Sequence, residues 1–274
     1  MIKITDQEFK SLVEFLKNKY GINLEQKRVL LEGRLTGYLE KSGFTNYTDY
    51  IKSVQLDKTG KEITNLLNKV TTNHTYFMRE AEHFHLFKDH VLPELEQRVK
   101  DKDLRIWCAA SSSGEEPYTL AMLLRDHFGG KTPKWDTKLL ATDLSQKVLE
   151  QAKAGLYMEE AIKDVPASWK KKYFMKAPPN KNGDPMVQVT QEIKNEVVYK
   201  IFNLMDPIVA KKPYQVVFCR NVMIYFDMPT KLALVNRIYD ATCPGGYLFI
   251  GHTESLPKPT RYNYIQPSVY QKGF

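Results

Sequence analysis

Cysteine is scarce: three among 274 residues, Cys108, Cys219 and Cys243, with no C-x-x-C spacing between them. Two lie in apolar runs of strand length, so reduced, buried thiols are expected rather than disulfides or zinc ligands. No segment approaches the run of about 18 apolar residues that a membrane-spanning helix needs, and MIKITDQEF lacks the pattern of a secretory signal. A cytoplasmic protein without direct membrane insertion is expected. The phosphate loop G-x-x-x-x-G-K-[ST], the dinucleotide fingerprint G-x-G-x-x-G and the metalloprotease motif H-E-x-x-H are all missing. His83, His85 and His90 stand close together without a companion ligand motif, so no metal is expected there, only histidines on a partly exposed helix. There are no internal repeats and no low-complexity tract. Positive charge is in excess, a formal +8. It asks for an anionic partner without choosing among nucleic acid, an acidic membrane surface and an acidic protein.

The chain is organised around LRIWCAASSSGEEPYTL, residues 104 to 120. Leu104, Ile106 and Trp107 form a short apolar run, Ala109 to Gly114 carry almost no side-chain bulk, and Glu115-Glu116-Pro117 opens an apolar-periodic helix. Proline suits a first helical turn, where its missing N–H would be unpaired anyway. Small residues let the backbone approach a ligand, and the N–H groups at a helix start can face it. Two carboxylates beside the loop repel phosphate but suit a cation or the hydroxyls of a ribose. A second strand, Lys138 to Thr142, ends in Asp143, the position from which an acid accepts hydrogen bonds from ribose hydroxyls in doubly wound folds. An adenosyl group without phosphates fits best, and S-adenosylmethionine carries one together with a positive sulfonium.

Residues 1–72 read as a small all-helical domain. Thr5 or Asp6 caps a first helix with Phe9, Leu12, Val13, Phe15 and Leu16 on its apolar face, and Gly21 follows it. Asn23 is the expected cap of a second, in which Val29, Leu30, Leu31, Leu35, Tyr38 and Leu39 face inward; two shorter helices follow over 47–54 and 63–70. Lys27, Arg28 and Arg34 lie mostly off the apolar stripe, with Glu25, Glu32 and Glu40 mixed in. They read either as a solvated face or as a docking surface for an acidic helix. A polar linker, 73–95, could bring Asn73, Thr75, Arg79 and Glu80 over the loop after the first strand.

From 96 to 274 strands and helices alternate, the pattern of a mostly parallel sheet covered on both faces. An insert at about 155–200 holds Lys170–Lys172 and the turn-rich APPNKNGDP, and reads as a small antiparallel flap, either decoration or a partner surface. Beyond it, strands ending near Asn203-Leu204 and at Cys219-Arg220-Asn221 put these residues and Tyr225 at the same sheet edge as Glu116 and Asp143. Pro244-Gly245-Gly246 is expected to turn the chain before a strand over 247–251, and 261–272 to form a last strand or hairpin.

The segments TTNHTYFMRE, WCAASSSGEEPYTLAM, LLATDLS, FNLMD, VVFCRNVMIYFDMPTK and GGYLFIGHTESL, in this order, closely resemble the chemotaxis receptor methyltransferase family over nearly the whole chain. The resemblance implies an α/β class I S-adenosylmethionine-dependent methyltransferase: a doubly wound sheet with a β flap, preceded by the helical domain. It implies a protein-glutamate O-methyltransferase that adjusts chemoreceptor sensitivity, leaving glutamyl methyl esters and S-adenosylhomocysteine. Carried over residue by residue, cofactor contacts fall on Asn73, Thr75, Arg79, Glu116, Asp143, Asn203, Leu204, Cys219 (through its backbone) and Arg220. Arg79 and Tyr225 fall beside the reacting methyl group, and Lys27, Arg28 and Arg34 on the face that meets the receptor's methylation helices. Some members bind a receptor tail peptide on a glycine-rich flap hairpin; the corresponding MKAPPNKNGDPMV has prolines instead, and tail binding is not assigned.

The chemistry agrees with the lack of acid–base machinery. A glutamate of pKa about 4.3 is already ionised at neutral pH, so no general base is required. Aligning nucleophile, methyl and sulfur can be worth about 7–11 kcal/mol, and desolvating the carboxylate restores reactivity. A nucleic-acid methyltransferase is the alternative within the reaction class, but the strand end carries Arg220-Asn221-Val222-Met223 rather than an Asn/Asp-Pro-Pro-aromatic motif, and no aromatic platform for a base is evident. A catalytically silent cofactor-binding module is the alternative outside it, and the presence of both Arg79 and Tyr225 argues against that. Nothing calls for more than a monomer.

Overall fold

Four helices open the chain. The first, α1 (Asp6–Tyr20), starts at Thr5, whose hydroxyl accepts from the Glu8 N–H while the Glu8 carboxylate accepts from the Thr5 N–H at 2.9 Å. This reciprocal cap satisfies two donors a helix start otherwise leaves open. The computed structural model in which it is seen describes residues 2–71, 74–129 and 135–274. With α2 (Arg28–Lys41), α3 (Tyr47–Leu56) and α4 (Lys61–Val70), α1 closes around a core that includes Leu12, Leu16, Leu35, Tyr50 and Leu66.

Helix α2 departs from the sequence reading in two ways. Asn23 does not cap it: its side chain accepts from the Glu25 N–H (3.0 Å) in the preceding turn, and the helix starts at Arg28. Val29 and Leu30 do not face inward, and Val29 is 85% exposed. The inward row is Leu31, Leu35 and Leu39; a residue two positions before that row is rotated by about 200° and faces water.

The linker enters α5 (Ala81–Leu86) and α6 (Leu92–Arg98), joined by a π-helical turn over Phe87–Val91. Phe84 and Phe87 pack against Phe218 of the sheet, which stacks on Phe249 at 4.4 Å between centroids. His85 and His90 are exposed as expected. His83 is not: next to Phe84 on the inward side, it is buried with its ring edge-on to Phe249.

The α/β part continues with β1 (Ile106–Cys108), α7 (Glu115–Phe128), β2 (Leu139–Asp143) and α8 (Gln146–Ala154). The insert supplies β3 (Leu156–Met158), α9 (Ala167–Tyr173), β4 (Phe174–Ala177), β5 (Met186–Val189) and α10 (Gln191–Lys194). Then come β6 (Val197–Ile201), β7 (Tyr214–Cys219), α11 (Met228–Ala241), β8 (Thr242–Ile250), β9 (Asn263–Gln266) and β10 (Val269–Gln271). The main sheet runs β6-β2-β1-β7-β8-β10-β9, parallel through β8 and antiparallel at β10 and β9. Strand β1 has β2 on one side and β7 on the other, so the order reverses there and a ligand crevice opens at the carboxyl ends.

The flap is the antiparallel sheet β3-β5-β4, with 178–185 as its hairpin tip. Asp126 of α7 anchors it by accepting from Trp169 Nε1 (2.6 Å), Lys172 Nζ (2.7 Å) and the Tyr173 hydroxyl. Pro244-Gly245-Gly246 is not a turn between elements. It lies inside β8, where pairing jumps from Tyr214 with Thr242 to Val216 with Tyr247, and the extra residues form a bulge with Gly245 at φ +68°.

Candidate active site

A cleft of about 250 Å³ opens at the crevice, lined by Ala109–Ser112, Asp143, Asn203, Arg220 and Tyr225 among others. Thr75, Arg79, Glu116 and Leu204 also line it. Of the remaining expected contacts, Asn73 lies outside the described residues. Cys219 is fully buried and does not line the cleft, whereas its neighbour Arg220 does. Lys27, Arg28 and Arg34 lie away from the cleft, on or beside α2.

The loop after β1 keeps its shape through Gly114, at φ +101°. A Cβ there would fall 2.9 Å from Tyr199 Oη and 3.0 Å from Tyr157 Oη, so alanine would both strain the backbone and push the loop off α8 and the flap. Asp143 closes the other side. Its Oδ2 accepts from the Ser112 N–H and its Oδ1 from the Ser145 N–H, both at 2.9 Å, which fixes the carboxylate and leaves each oxygen further accepting capacity. Burial raises its pKa, against the lowering effect of those N–H groups.

Arg220 ties three segments together. Its side chain is 2% exposed; Nη1 donates to Glu116 (2.9 Å), and Nη2 donates to Glu80 (3.1 Å) and to the Arg79 carbonyl. Glu80, which the sequence put near the cofactor, is held back from the cleft: it also accepts from Asn221 Nδ2 (3.0 Å). Burial works to raise its pKa, but the Asn221 bond and the Arg220 charge win and hold it below the usual carboxylate range. Burial raises the Glu116 pKa, with Arg220 opposing.

Two groups of residues escaped the sequence reading. Tyr20, Ile22, Leu67, Asn68 and Thr71 of the helical domain line the cleft, and Ser145 Oγ meets Asn68 Oδ1 at 3.1 Å. Asn203 Nδ2 donates to the Lys19 carbonyl (2.8 Å), and the Tyr225 carbonyl accepts from the Asn23 N–H (2.8 Å), so the two domains share the site. No periodicity announces this, because these residues read as ordinary bundle positions. The second group is Glu254, whose carboxylate accepts from the N–H groups of Asn221 (2.9 Å), Ile224 (3.2 Å) and Gly251 (2.6 Å). It thereby fixes the turn that carries Tyr225. Glu254→Gln puts an amide N–H₂ against backbone donors; a loss of about 1–3 kcal/mol in stability is expected, with a fall in kcat larger than the change in cofactor affinity. Equal cofactor affinity and unchanged kcat would show that the turn does not need this carboxylate.

His83 gives a pH test. Burial foremost, then the Arg220 charge, depress its pKa to about 3, with Glu80 opposing. The unfolded chain therefore takes up the proton first, and stability falls as pH drops from about 6.5 toward 3, by up to about 1.4 kcal/mol per pH unit from this group. Urea midpoints at about pH 7 and about pH 5 should differ less in His83→Phe than in the wild type.

An adenosyl ligand needs acceptors for its ribose and donors for its polar edge. Asp143 offers carboxylate oxygens with accepting capacity to spare, and the Ser111 and Ser112 hydroxyls, buried at the cleft and without a hydrogen-bond partner among the described residues, are able to donate. A sulfonium needs negative surroundings, and Glu116 and Asp143 face the cleft. With the sheet reversing at β1, these features define an S-adenosylmethionine-dependent methyltransferase. Comparison with known proteins narrows the class. Residues 7–71 match the CheR methyltransferase all-alpha domain and residues 73–270 the CheR methyltransferase SAM binding domain. Among curated relatives, a chemotaxis protein methyltransferase of Borreliella burgdorferi is 38% identical, covering 99% of this chain and 96% of that one. One of Escherichia coli is 34% identical, covering 93% and 86%, and a probable one of Rhizobium etli is 37% identical, covering 85% and 86%. The chain belongs to the CheR methyltransferase family, and is a methyltransferase of chemotaxis. Among the described residues no helix is long and apolar enough to cross a membrane.

Proposed function

We propose that the chain methylates glutamate side-chain carboxylates of chemoreceptors. One observation carries this. Arg220 is neutralised by Glu80 and Glu116, whereas Arg79, half-buried at the same cleft, donates to the His74 carbonyl and meets no carboxylate among the described residues. A guanidinium left with its charge at a cleft is matched to an incoming carboxylate, which it can hold in a fork. S-adenosylmethionine, when bound, supplies a methyl carbon on a positive sulfonium. The Asp143 carboxylate and the loop serines would hold the ribose and adenine side, Glu116 would offer its charge to the positive end, and Arg79 with the Tyr225 hydroxyl would orient the acceptor. With that methyl donor bound, the acceptor carboxylate oxygen would take the methyl carbon as the carbon–sulfur electron pair returned to sulfur, so this chain's residues would have no proton to move. Apolar side chains at the cleft wall, among them Leu67, Phe202 and Ile224, would displace water, which otherwise stabilises the nucleophile. Arg79→Ala is expected to lower methyl transfer to a receptor fragment about 100-fold, through orientation; transfer at the wild-type rate would remove Arg79 from this role.

The receptor is proposed to approach along α2. Lys27 is exposed, whereas Arg28 pairs with Asp6, and Arg34 Nη1 donates to the Val70 carbonyl (3.1 Å) at the end of α4. Lys27→Glu is therefore the clean test: receptor methylation weakens, more at low salt than at high, while S-adenosylhomocysteine affinity and stability hold. Arg34→Glu is expected to loosen α4 as well, so it should lose stability too.

A further inference from the structure

Behind Arg220, away from the cleft lining, Glu80, His83 and His252 each present one ligand atom, all within 4.8 Å of one another. His83 is 1% exposed, and neither ring nitrogen has a hydrogen-bond partner. A buried side chain with two idle polar atoms is rare and calls for a reason. Its Nδ1 stands 3.5 Å from Glu80 Oε2, close to the roughly 3.3 Å that separates two ligands of a tetrahedral ion with bonds of about 2.0–2.1 Å. The His252 ring lies edge-to-face with it at 4.6 Å between centroids and is exposed, so the third ligand can adjust and the site has an entrance. Two carboxylates, Glu80 and Glu116, share the guanidinium of Arg220, which leaves one negative charge in excess beside the histidines.

We propose that Glu80, His83 and His252 form a site for a divalent transition-metal ion of the Zn²⁺ type, and that filling it inhibits the enzyme by drawing Glu80 away from Arg220. Two imidazoles and one carboxylate with open positions for water suit Zn²⁺, Co²⁺ or Ni²⁺ and not Mg²⁺ or Ca²⁺, which take oxygen ligands. The ion competes for the Oε2 that now accepts from Arg220 Nη2 (3.1 Å) and from the His252 N–H (3.2 Å). Arg220 keeps Glu116 but loses one of its two charge partners, and it lines the cofactor cleft. Metal and cofactor then weaken each other by the same factor. The ion is an inhibitor in this scheme and takes no part in methyl transfer, so the site stands whatever the acceptor.

The test uses the full chain, stripped with a chelator and carrying Cys243→Ser so that the half-buried thiol cannot bind the ion. Co²⁺ is followed by its visible absorption, Zn²⁺ by displacement of Co²⁺, and S-adenosylhomocysteine affinity by calorimetry with and without Zn²⁺. One ion per chain is expected, with cofactor-product affinity lowered about tenfold. His252→Ala, exposed and outside the cleft, should bind the ion at least about tenfold more weakly and lose the effect of Zn²⁺ on S-adenosylhomocysteine, with its metal-free affinity unchanged. Equal metal binding by the wild type and His252→Ala, absence of stoichiometric binding, or binding that leaves S-adenosylhomocysteine affinity untouched would each overturn the proposal. None of these readings uses a receptor substrate, so failure here and failure of the glutamate reading are separate results.

Discussion

Arg220→Ala is expected to lower folding stability by about 3–5 kcal/mol and to abolish measurable methyl transfer. The guanidinium is almost wholly buried and is shared between Glu80 and Glu116 at 3.1 and 2.9 Å. Removing it leaves two buried carboxylates without their cation, and breaking a buried pair from one side costs far more than the pair contributes. It also releases the Arg79 carbonyl and the packing over Phe84, whose ring lies 5.2 Å from the guanidinium carbon. Arg220→Lys should recover only part of the loss, because a point charge cannot reach both carboxylates in a fork. Adding Glu116→Gln to Arg220→Ala should restore stability relative to Arg220→Ala alone, since one uncompensated acid is gone. Denaturant melts of the three variants check this; a stable, active Arg220→Ala would show that the network is peripheral.

Asp143→Asn is expected to weaken S-adenosylhomocysteine binding about 100-fold, equivalent to about 2.7 kcal/mol, with a small effect on folding. Both carboxylate oxygens already accept from backbone N–H groups, of Ser112 and Ser145. An amide has one oxygen, so its N–H₂ must face a donor on one side or the other. Either choice moves the loop after β1 or frees the start of α8, and the ribose loses an acceptor. Calorimetry reads the affinity directly, and a change of less than about threefold would remove Asp143 from the ribose site.

The sheet was legible because its strands announce themselves. Tyr214–Cys219 is an apolar run ending in Arg220, and the loop from Ala109 to Gly114 has too little bulk to be anything but a place where backbone meets ligand. Strand ends set residues far apart in sequence along one edge, which is why the sequence alone groups Asp143, Asn203 and Arg220. The flap followed from the Pro/Asn/Gly tip between two short alternating stretches. What escaped was set by tertiary contact. The phase of α2 is hidden in the sequence because Val29 and Leu30 are apolar, and only packing shows that Leu31, Leu35 and Leu39 face in. Pro244-Gly245-Gly246 looks like a turn in sequence and is a bulge because β8 pairs with β7 on both sides of it. His83 and Glu254 are polar residues in polar stretches, and nothing local says that each will be buried against Arg220's neighbours. The helical domain's share of the cleft was hidden for the same reason: Tyr20 and Asn68 belong to helices whose periodicity describes the bundle and not the surface it lends to the sheet.

The central claim is that the acceptor is a carboxylate. Methyl transfer from labelled S-adenosylmethionine to a chemoreceptor signalling fragment, followed by alkali, tests it most directly. Release of the label as volatile methanol, lost when Arg79 is replaced by Ala, is the predicted result. Label that stays on the protein through alkali would mean methylation at nitrogen and would contradict the account.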